Sequence, residues 1–583
     1  MNSADYIMEV LSANDAKKVF ILNGGGMMYL VDALQRHKQI DYVHHHHEQC
    51  AGIAADAYAR VTGRLGICFA TSGPGGTNLT TAIAGAFQDS TPCIFIIGQS
   101  KTTETIAGKG VSARQVGTFE VDIIPTVQNI TKYSVTVDNE NQLPSILRKA
   151  MTIAISGRPG PCVIEIPLDV QGANIPANLH DISYYEPANE LHSTECQKNT
   201  FFNSLKKDLK KSLKPTLLIG KGLMIAKQQK ILRSIAAKHN IPIVTTQFGK
   251  DCYDNYSELF MGHSGPKGTR AGNYAIQNSD IIITLGCSLH GQTIGWEEDL
   301  FAPNATVYRV DVDSNNLKNT KSFVTHDLQL DVKEFFEIFE RLQIEVNCSD
   351  WLAECQLFRG ENKPETEAYS QKKQSVNAYD IIFSVNQSFT DNEIFVSDAG
   401  TAFYVTGQAL KTNENQQFIT SASLGSMGFA LPAATGAAIA DNKRQVICIT
   451  GDGSLMTNLS ELSVAKQNCR NIIYIIISNN GYVSMRNTQN AFFNCRRIGE
   501  SPSSGVQIPD IKKISELFEI NYGRADRKDK LRELLIRFKE QPGPHLVEVI
   551  AHSEQEIIPT VKSRKLKDGK MESGKLHPMY PFG

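Results

Sequence analysis

The fold is indicated by one continuous apolar run that ends in a carboxylate between two glycines, Gln445-Val446-Ile447-Cys448-Ile449-Thr450-Gly451-Asp452-Gly453-Ser454. Such a run predicts a strand that is buried on both faces. A second apolar run, Ile472 to Ser478, ends at Asn479, and Asn458 to Asn468 between the two has the polar and apolar spacing of a helix. We therefore predict a strand–helix–strand unit with polar residues at the carboxyl ends of two parallel strands, where open α/β sheets bind ligands.

The residues at these two strand ends suit a metal-bound phosphate. Mg²⁺ prefers oxygen ligands and usually keeps substrate phosphates in its coordination shell, and Asp452 and Asn479 both supply side-chain oxygens. The glycines allow backbone to approach a phosphate, and the start of a helix favours negative charge. Taken alone, Gly-Asp-Gly is typical of a surface turn. The flanking buried strands and the later Asn-Asn-Gly favour a magnesium diphosphate site.

With these two motifs the chain resembles the thiamine diphosphate (ThDP) enzymes, whose signature is Gly-Asp-Gly followed about two dozen residues later by Asn-Asn. The resemblance implies that Asp452 and Asn479 bind Mg²⁺ through their side chains and Gly481 through its backbone carbonyl. The first Asn of the family signature is Ser478 here. By spacing Asn479 takes the ligand position, and Asn480 is the competing candidate.

Four consecutive histidines precede Glu48, and the small-residue segment Cys50 to Arg60 behind it predicts a helix that ends near Gly63. A four-histidine metal cluster is disfavoured, because alternate side chains of an extended segment point to opposite faces. One interpretation of Glu48 is a first-turn carboxylate that complements the helix dipole. The resemblance implies instead the activating glutamate, which hydrogen-bonds N1′ of the aminopyrimidine and so promotes removal of the proton from thiazolium C2.

Further glycine-rich blocks follow in the family's order, including Ser72 to Asn78, Gly157 to Pro161 and Ser423 to Phe429. Together they resemble acetohydroxyacid (acetolactate) synthase large subunits over about residues 4 to 550. The resemblance implies that Met427 lies under the cofactor and holds its two rings in a V, whereas core filling is the alternative role for a methionine. The other cofactor-binding residues that it implies are Gly24, Gly25, Ser72, Gly73, Asn78, Gly400, Thr401, Ala402, Gly425, Gly453, Ser454, Asn479, Gly481 and Tyr482.

The substrate region departs from the acetohydroxyacid synthases. Phe119 stands where they carry a Gln that faces the cofactor, and the segment after Gly481 lacks their Trp. Its Gly-Tyr-x-Ser-x-Arg-x-Thr-Gln pattern resembles ThDP enzymes encoded with bacterial surface-polysaccharide genes, which act on keto-sugar nucleotides. Arg486 in that pattern is either a surface charge or a bidentate contact to an anionic acceptor. The candidate substrate residues are Gly25, Gln115, Phe119 and Arg486.

Two polar stretches, residues 171–200 and 346–376, predict linkers. The segments around them, 1–170, 201–345 and 377–551, alternate apolar strands with helices, which predicts three doubly wound parallel-sheet α/β domains. The resemblance implies a pyrimidine-binding domain, a central domain and a diphosphate-binding domain, in that order. Residues 552–583 predict a carboxyl-terminal tail, which is either a surface extension or a lid over the site.

Flavin-containing members of the family hold FAD in the central domain. Gly220-Lys221-Gly222 follows a predicted strand, and Gly262 to Ala271 resembles a block that contacts FAD. However, Ser288 stands where flavin-binding members usually have Arg, so a charged contact to the diphosphate is lost. Two interpretations stay open, a domain that holds FAD and a flavin-free relic, and the missing Arg favours the second.

Composition narrows the class of protein. The chain has 583 residues, 41% of them hydrophobic and 21% charged, with a net charge of -2, and it has no Lys/Arg cluster typical of nucleic-acid binding. The twelve cysteines form no CxxC pair, so neither a zinc site nor a disulfide framework is indicated. With no signal peptide and no apolar run long enough to span a bilayer, we expect a cytoplasmic protein that does not bind membranes.

We therefore expect a ThDP- and Mg²⁺-dependent enzyme that decarboxylates a 2-keto acid such as pyruvate and joins the acyl fragment to a second carbonyl, possible acceptors including a keto-sugar nucleotide. A simple 2-keto acid decarboxylase that releases aldehyde is one alternative. A non-catalytic scaffold paralogue is another. The resemblance implies a homodimer or homotetramer, with the cofactor between the first domain of one subunit and the third domain of another.

Overall fold

The structure, a computed structural model, describes all residues except 184, 186–192, 347, 368, 370–373, 422, 567 and 583. Three six-stranded sheets follow one another along the chain, and every strand pair in them is parallel. The strands of the first sheet are β1 Lys18–Leu22, β2 Asp41–His44, β3 Gly66–Ala70, β4 Cys93–Gln99, β5 Tyr133–Thr136 and β6 Cys162–Pro167. Those of the second are β7 Pro215–Ile219, β8 Ile243–Thr245, β9 Phe260–His263, β10 Ile281–Leu285, β11 Thr306–Asp311 and β12 Val324–Gln329. Those of the third are β13 Ile394–Ser397, β14 Gln417–Thr420, β15 Val446–Gly451, β16 Ile472–Ser478, β17 Asn521–Ala525 and β18 His545–Ile550.

Helices connect the strands in all three domains, which confirms the predicted α/β class. The α-helices of the first domain are α1 Ser3–Ala13, α2 Met28–Arg36, α3 Glu48–Thr62, α4 Pro74–Asn78, α5 Thr80–Gln88, α6 Ile106–Lys109, α7 Ile124–Val127, α8 Leu143–Ile155 and α9 Leu168–Gly172. Those of the central domain are α10 Glu195–Leu209, α11 Gly222–Ile225, α12 Gln229–His239, α13 Arg270–Asn278, α14 Gly291–Ile294, α15 Ser314–Lys318, α16 Val332–Arg341 and α17 Ser349–Glu361. Those of the third are α18 Ala378–Ser388, α19 Thr401–Ala409, α20 Ala430–Ala440, α21 Asp452–Thr457, α22 Glu461–Asn468, α23 Val483–Phe492, α24 Ile511–Leu517 and α25 Lys528–Lys539.

The first and third sheets share one topology, with the strand orders β2-β1-β3-β4-β6-β5 and β14-β13-β15-β16-β18-β17. Their winding reverses between β1 and β3 and between β13 and β15. The central sheet has the order β12-β11-β10-β7-β8-β9, and its winding reverses between β7 and β10. Ligands of open parallel sheets bind outside the carboxyl ends of the strands at such reversal points. The topology therefore defines one candidate crevice in each domain.

The first and third domains pack closely through α3 and α20, whose residues belong to one apolar core. Gly436 in α20 lies against the backbone of α3, since a Cβ there would be 2.8 Å from the carbonyl carbon of Ala54 and closer still to its oxygen. The histidine run adds polar contacts, because the buried His45 ring meets the Glu461 carboxylate at 3.0 Å. All four histidines thus have partners, since His44 accepts from the Asn23 N–H at 3.4 Å, His46 contacts Ser463 and His47 caps α3.

The helix predicted over Asn458 to Asn468 is wrong at its start. A helical turn, α21, begins at Asp452 directly after β15, and a second helix, α22, begins at Glu461. Asn458 separates the two, with an extended φ of -131° and its side-chain amide donating to the Gly428 carbonyl at 2.9 Å. This contact to a distant loop interrupts the helix, and the local sequence pattern does not encode it.

Helices also occupy parts of both stretches that were predicted as linkers. In residues 171–200, α9 ends at Gly172 and α10 begins at Glu195. In residues 346–376, α17 buries Trp351, Leu352 and Cys355 in the central core. The other positions of α17 mix charged and polar residues with the exposed Leu357, so its sequence has no clear apolar stripe and its charges indicate a linker.

The carboxyl-terminal segment packs on the central domain. Val561, Leu576 and Met579 belong to the central core, and Ser563–Lys565 (β19) pairs with Met571–Ser573 (β20) as a short antiparallel hairpin. Its role as a lid stays a prediction. Among the described residues, no helix is both long enough and apolar enough to cross a membrane.

Candidate cofactor site

The Asp452 carboxylate lies at the reversal point of the third sheet, directly after β15, and is fully buried. Backbone N–H groups surround it: Gly453 donates at 2.8 Å, Asn479 at 3.0 Å, Asn480 at 2.7 Å and Gly481 at 3.2 Å. Burial raises the pKa of Asp452 to about 6, although the four donors act in the opposite direction. The strand ends at β15 and β16 thus meet as the sequence predicts.

Burial separates the two candidate amide ligands. Asn479 is buried, and its Oδ1 atom has no hydrogen-bond partner among the described residues. The neighbouring Asn480 is exposed and has a left-handed φ of +65°. An unpaired buried oxygen costs free energy unless a ligand binds it. The geometry therefore fits a cation at Asn479 Oδ1, beside the Asp452 carboxylate.

A buried ion pair supports this loop from behind. Arg486, only 2% exposed, pairs with Glu500 and donates to the carbonyls of Ser553 and Asn480, the last at 2.9 Å. The Glu500 carbonyl accepts from the Tyr482 N–H at 2.8 Å. Gly481, with φ +111°, is required here because a Cβ would clash with the Glu500 carbonyl. The Arg486 guanidinium is thus buried and engaged within the chain, so it is not the surface charge that was one interpretation, and its contact to an acceptor stays a prediction.

Asp398 was not singled out by the sequence, yet it organises the loop that carries Met427. It follows β13 at the same reversal point and is fully buried. Its carboxylate accepts from the N–H groups of Gly428 at 3.0 Å and Ala430 at 3.1 Å, and from the Thr450 hydroxyl at 3.1 Å. Burial raises the pKa of Asp398, and these donors oppose the rise. The sequence signal that could have identified Asp398 is its position, directly after a buried strand and two residues before Gly400.

Met427 is 43% exposed, which does not match the alternative role of core filling. Gly425, with φ +70°, has open space around it, and Gly400 also adopts a positive φ of +70°. Other predicted cofactor residues of this domain are buried at the same edge: Thr401, Ala402, Gly453 and Ser454. Tyr482 lies over Gly453, where a Cβ would clash with its ring.

Glu48 is the first residue of α3 and is 6% exposed. Its Oε2 atom accepts a hydrogen bond from the Asn78 amide at 2.9 Å. The structure thereby joins two predicted site residues from separate motifs. A carboxylate at a helix start also complements the helix dipole, so the two interpretations of Glu48 are compatible.

The remaining predicted residues of the first domain surround its own reversal point. Gly24 lies against Thr71, because a Cβ there would be 2.6 Å from that side chain, and Gly25 is open. Gly73, with φ +63°, leaves no room for a Cβ beside the Phe119 carbonyl. Phe119 itself is 70% exposed, and the Gln115 amide donates to the Glu120 carbonyl at 3.3 Å. Phe119 and the Ser72-Gly73 turn are therefore neighbours, whereas Gln115 bonds within its own loop.

The predicted site residues thus fall into two groups, which we name half-sites, one around Glu48 and one around Asp452. The recorded hydrogen-bond partner of Glu48 is in the first domain, and those of Asp452 are in the third. Large apolar side chains are exposed around both half-sites, on loops and on α23. They are Val111, Val116, Phe119 and Val121 in the first domain, and Leu424, Met427, Met485, Phe492, Phe493 and Ile498 in the third.

Comparison with known families matches this division. Residues 1–120 match the N-terminal TPP binding domain of thiamine pyrophosphate enzymes, residues 203–338 match their central domain, and residues 398–549 match their C-terminal TPP binding domain. Thiamine pyrophosphate is another name for ThDP. The Glu48 and Asp452 half-sites lie in the two matched TPP binding domains.

Whole-chain relatives agree with the domain matches. The large subunit of acetolactate synthase isozyme 2 of Escherichia coli is 31% identical, over 96% of this chain and 97% of that protein. The isozyme 1 large subunit of the same organism is 32% identical, over 96% and 95% of the two chains. An acetolactate synthase large subunit of Cyanidium caldarium is 30% identical, over 96% and 94%.

Proposed function

Because the chain belongs to the thiamine pyrophosphate enzymes and is an acetolactate-synthase-like member of them, we propose that it decarboxylates a 2-keto acid and joins the acyl fragment to a second carbonyl. Pyruvate is the proposed donor. The identities of the donor, the acceptor and the metal are proposed together with this reaction. When bound, ThDP supplies the nucleophilic carbon and the electron sink for decarboxylation.

The unpartnered Oδ1 of Asn479 is the observation that carries the proposal. It is buried beside the Asp452 carboxylate at the reversal point of the third sheet. We assign Asp452, Asn479 and the Gly481 carbonyl as the ligands of Mg²⁺, which would hold the diphosphate. Since backbone donors already fix the Asp452 carboxylate, the ligand set needs little rearrangement on loading.

Glu48 is the proposed acid–base residue. Its carboxyl group would hold the proton at N1′ of the aminopyrimidine, and the Asn78 amide at 2.9 Å keeps that group in one orientation. Met427 is the proposed support between the two cofactor rings, and its exposure supports this role. Asp398 is a positioning residue, because it fixes the backbone next to Met427 through the Gly428 N–H.

We infer the class of acceptor from the side chains around the proposed site. Phe119 and Met485 are large exposed apolar side chains, and they support an acceptor with an apolar or weakly polar face. Arg486 gives no support for an anionic acceptor, because Glu500, Ser553 and Asn480 already bind it. A keto-sugar nucleotide is therefore one member of the set of acceptors to test, beside aldehydes and 2-keto acids.

We further propose that a second copy of the chain completes each site. Each half-site carries exposed apolar side chains, including Phe119 in one and Met427 in the other. Apolar patches of this kind on a monomer usually mark an interaction surface. A closed two-fold pair would place the Glu48 half of one subunit opposite the Asp452 half of its partner.

The decisive experiment is mass spectrometry of the products from pyruvate, ThDP and Mg²⁺ with a panel of aldehydes, 2-keto acids and keto-sugar nucleotides. We expect a product whose mass equals the acceptor plus one acetaldehyde equivalent, which is pyruvate minus CO₂, and its loss when Mg²⁺ or ThDP is omitted. Glu48→Gln is the matched control for background chemistry.

The alternatives give different products. Free acetaldehyde as the sole product, with every acceptor present, would identify a simple 2-keto acid decarboxylase. A folded protein that binds ThDP but consumes no 2-keto acid would identify a non-catalytic scaffold.

A further inference from the structure

The central domain has a reversal point of its own, between β7 and β10, and its crevice is closed. Gly220 and Gly222 follow β7, and Gly286 follows β10. The Gly222 N–H donates to the Gly286 carbonyl at 3.1 Å, and a Cβ on Gly222 would be only 2.7 Å from the Gly286 Cα. The two loops thus lie directly against each other. Lys221 between the glycines pairs with Asp251 at 2.6 Å.

Arg270, in the block that resembles a flavin contact, is bound by the chain's own carboxyl-terminal segment. It is 5% exposed and donates to the carbonyls of Met579 at 2.9 Å and Tyr580 at 3.1 Å. The buried Glu367 carboxylate pairs with it, and the Phe582 ring lies 4.6 Å from the guanidinium carbon. Both the charge and the donors of Arg270 are therefore satisfied within the chain.

The same segment packs its apolar side chains against α13 and the turn at Gly295. Met579 is 1% exposed, and its sulfur accepts from the Asn273 amide at 3.2 Å. Leu576 is buried, and a Cβ on Gly295 would meet it at 3.4 Å. The His577 ring lies edge-on to Tyr274, with centroids 5.2 Å apart. The segment therefore bridges α13, which follows β9, and the Gly295 turn, which follows β10 and α14.

Polar contacts fix the start of the segment. The Lys267 ammonium donates to the Thr560 hydroxyl at 2.6 Å, and the Val561 N–H donates to the Pro266 carbonyl at 2.8 Å. Gln408 of the third domain donates to the Pro559 carbonyl at 2.6 Å. The segment is thus attached to the central domain at both ends, near Val561 and near Met579.

We propose that residues 558–566 and 568–582 occupy the surface of the central domain beside Arg270, at the block that resembles a FAD contact in flavin-containing members, and that this chain binds no flavin. An anionic diphosphate entering beside Arg270 would find its charge already paired with Glu367, so the new charge would be buried without compensation. A covalently attached segment also competes at high effective concentration. This inference is independent of the proposed reaction.

The first test is a flavin titration of the full-length protein. We expect no absorbance near 450 nm in the purified protein, no flavin released by denaturation, and no quenching of FAD fluorescence on titration. One equivalent of FAD, either copurified or bound in the titration, would overturn the proposal. The readout does not depend on catalytic activity, so its failure leaves the proposed reaction untouched.

The second test releases the segment. Met579→Ala and, separately, Arg270→Gln should speed proteolytic removal of the carboxyl-terminal segment severalfold and lower the melting temperature. Arg564→Gln is the control, because its pair with Glu572 lies on the exposed hairpin. Unchanged cleavage and melting in both variants would contradict the assignment, and should a variant not fold, the titration of the wild-type protein still decides it.

Discussion

At the scale of single residues, the Asn479 amide oxygen and the Asp452 carboxylate differ in what surrounds them. Four backbone donors satisfy Asp452, whereas Asn479 Oδ1 is buried with no partner among the described residues. A buried acceptor left unpaired costs about 1–3 kcal/mol. A bound cation would remove this cost. Cofactor loading should therefore stabilise the fold as well as enable the reaction.

Asn479→Ala should weaken Mg²⁺-dependent ThDP binding by about 100-fold or more, since even changes next to a metal ligand cost 10- to 100-fold. Asn480→Gly is the matched control, because the exposed Asn480 side chain is not an assigned ligand. Glycine also tolerates the φ of +65° at that position. Calorimetry of both variants separates the two candidates. Equal losses of affinity, or a loss confined to Asn480→Gly, would contradict the ligand assignment.

Glu48→Gln should retain ThDP binding and slow proton exchange at thiazolium C2 by about 100-fold or more, the usual scale of acid–base catalysis. The substitution preserves shape, and the Asn78 amide can still donate to the remaining oxygen. Hydrogen–deuterium exchange at C2, followed by NMR, is the measurement. Exchange at the wild-type rate would refute the role of Glu48.

Sequence alone predicts that residues directly after neighbouring parallel strands lie close together. Asp452 and Asn479 follow two buried apolar runs, so their proximity is predictable. The roles of Asp398 and Arg486 are not, because they depend on backbone groups of distant loops, namely Gly428 for one and Ser553 for the other. The local sequence predicts that such charged side chains are exposed, because the groups that bind them come from distant parts of the chain.

At the scale of elements, the packing of α3 on α20 depends on one glycine. Gly436→Ala should destabilise the protein by about 2 kcal/mol, as overpacked cores do, because the new methyl group would clash with the Ala54 backbone. Gly360→Ala in α17 is the matched control, since nothing lies within 4 Å of its Cβ position. That variant should gain about 0.5–1 kcal/mol from helix propensity. Thermal unfolding measures both, and equal shifts would contradict the close packing.

Strand β6 carries a buried carboxyl group, Glu165. Its burial raises the pKa of Glu165 to about 7. Gln99 and Thr136 donate to it at 2.8 and 2.7 Å. The ordinary pKa of glutamate is near 4.3, so the folded protein holds a proton there that the unfolded chain has lost, and stability falls as pH rises from about 4.3 to about 7.

Glu165→Gln should remove this pH dependence. The variant should gain little at pH 4 and up to about 3 kcal/mol at pH 8 relative to wild type. Thermal unfolding at a series of pH values tests it, with the exposed Glu337→Gln in α16 as control. A difference from wild type that stays constant between pH 4 and pH 8 would count against a raised pKa.

Buried parallel strands are the elements that sequence predicts best, because they are continuous apolar runs, and β16 ends where it was predicted. Helices without a clear apolar stripe are predicted less well. In α17, Trp351, Leu352 and Cys355 are buried whereas Leu357 is 66% exposed, so its pattern does not indicate a helix. The break at Asn458 depends on a tertiary hydrogen bond and has no local signal.

At the scale of the whole molecule, the two half-sites allow a complementation test. Glu48→Gln and Asp452→Ala should each be inactive, and mixing them after dissociation and reassociation should restore about a quarter of wild-type activity. Under random two-fold pairing, half of the pairs are mixed and each mixed pair has one intact site of two. Activity assays on the mixture, with subunit exchange verified by sizing of labelled chains, measure it.

Two results would refute the shared site. One is no recovery despite proven exchange of subunits. The other is full activity in a monomeric fraction. Either would mean that Glu48 and Asp452 of the same chain serve one cofactor.

The position of Met579 in the core of the central domain affects the order in which the chain matures during translation. Arg270 and the Met579 carbonyl that it binds are 309 positions apart, with the whole third domain between them. Domains generally fold from the amino terminus as the ribosome releases them. The central domain emerges early, and the core positions of Leu576 and Met579 stay empty until those two residues leave the ribosome. The third domain is therefore synthesised before the core of the central domain is complete, and a nascent chain that stalls between them leaves apolar residues of that core exposed to aggregation.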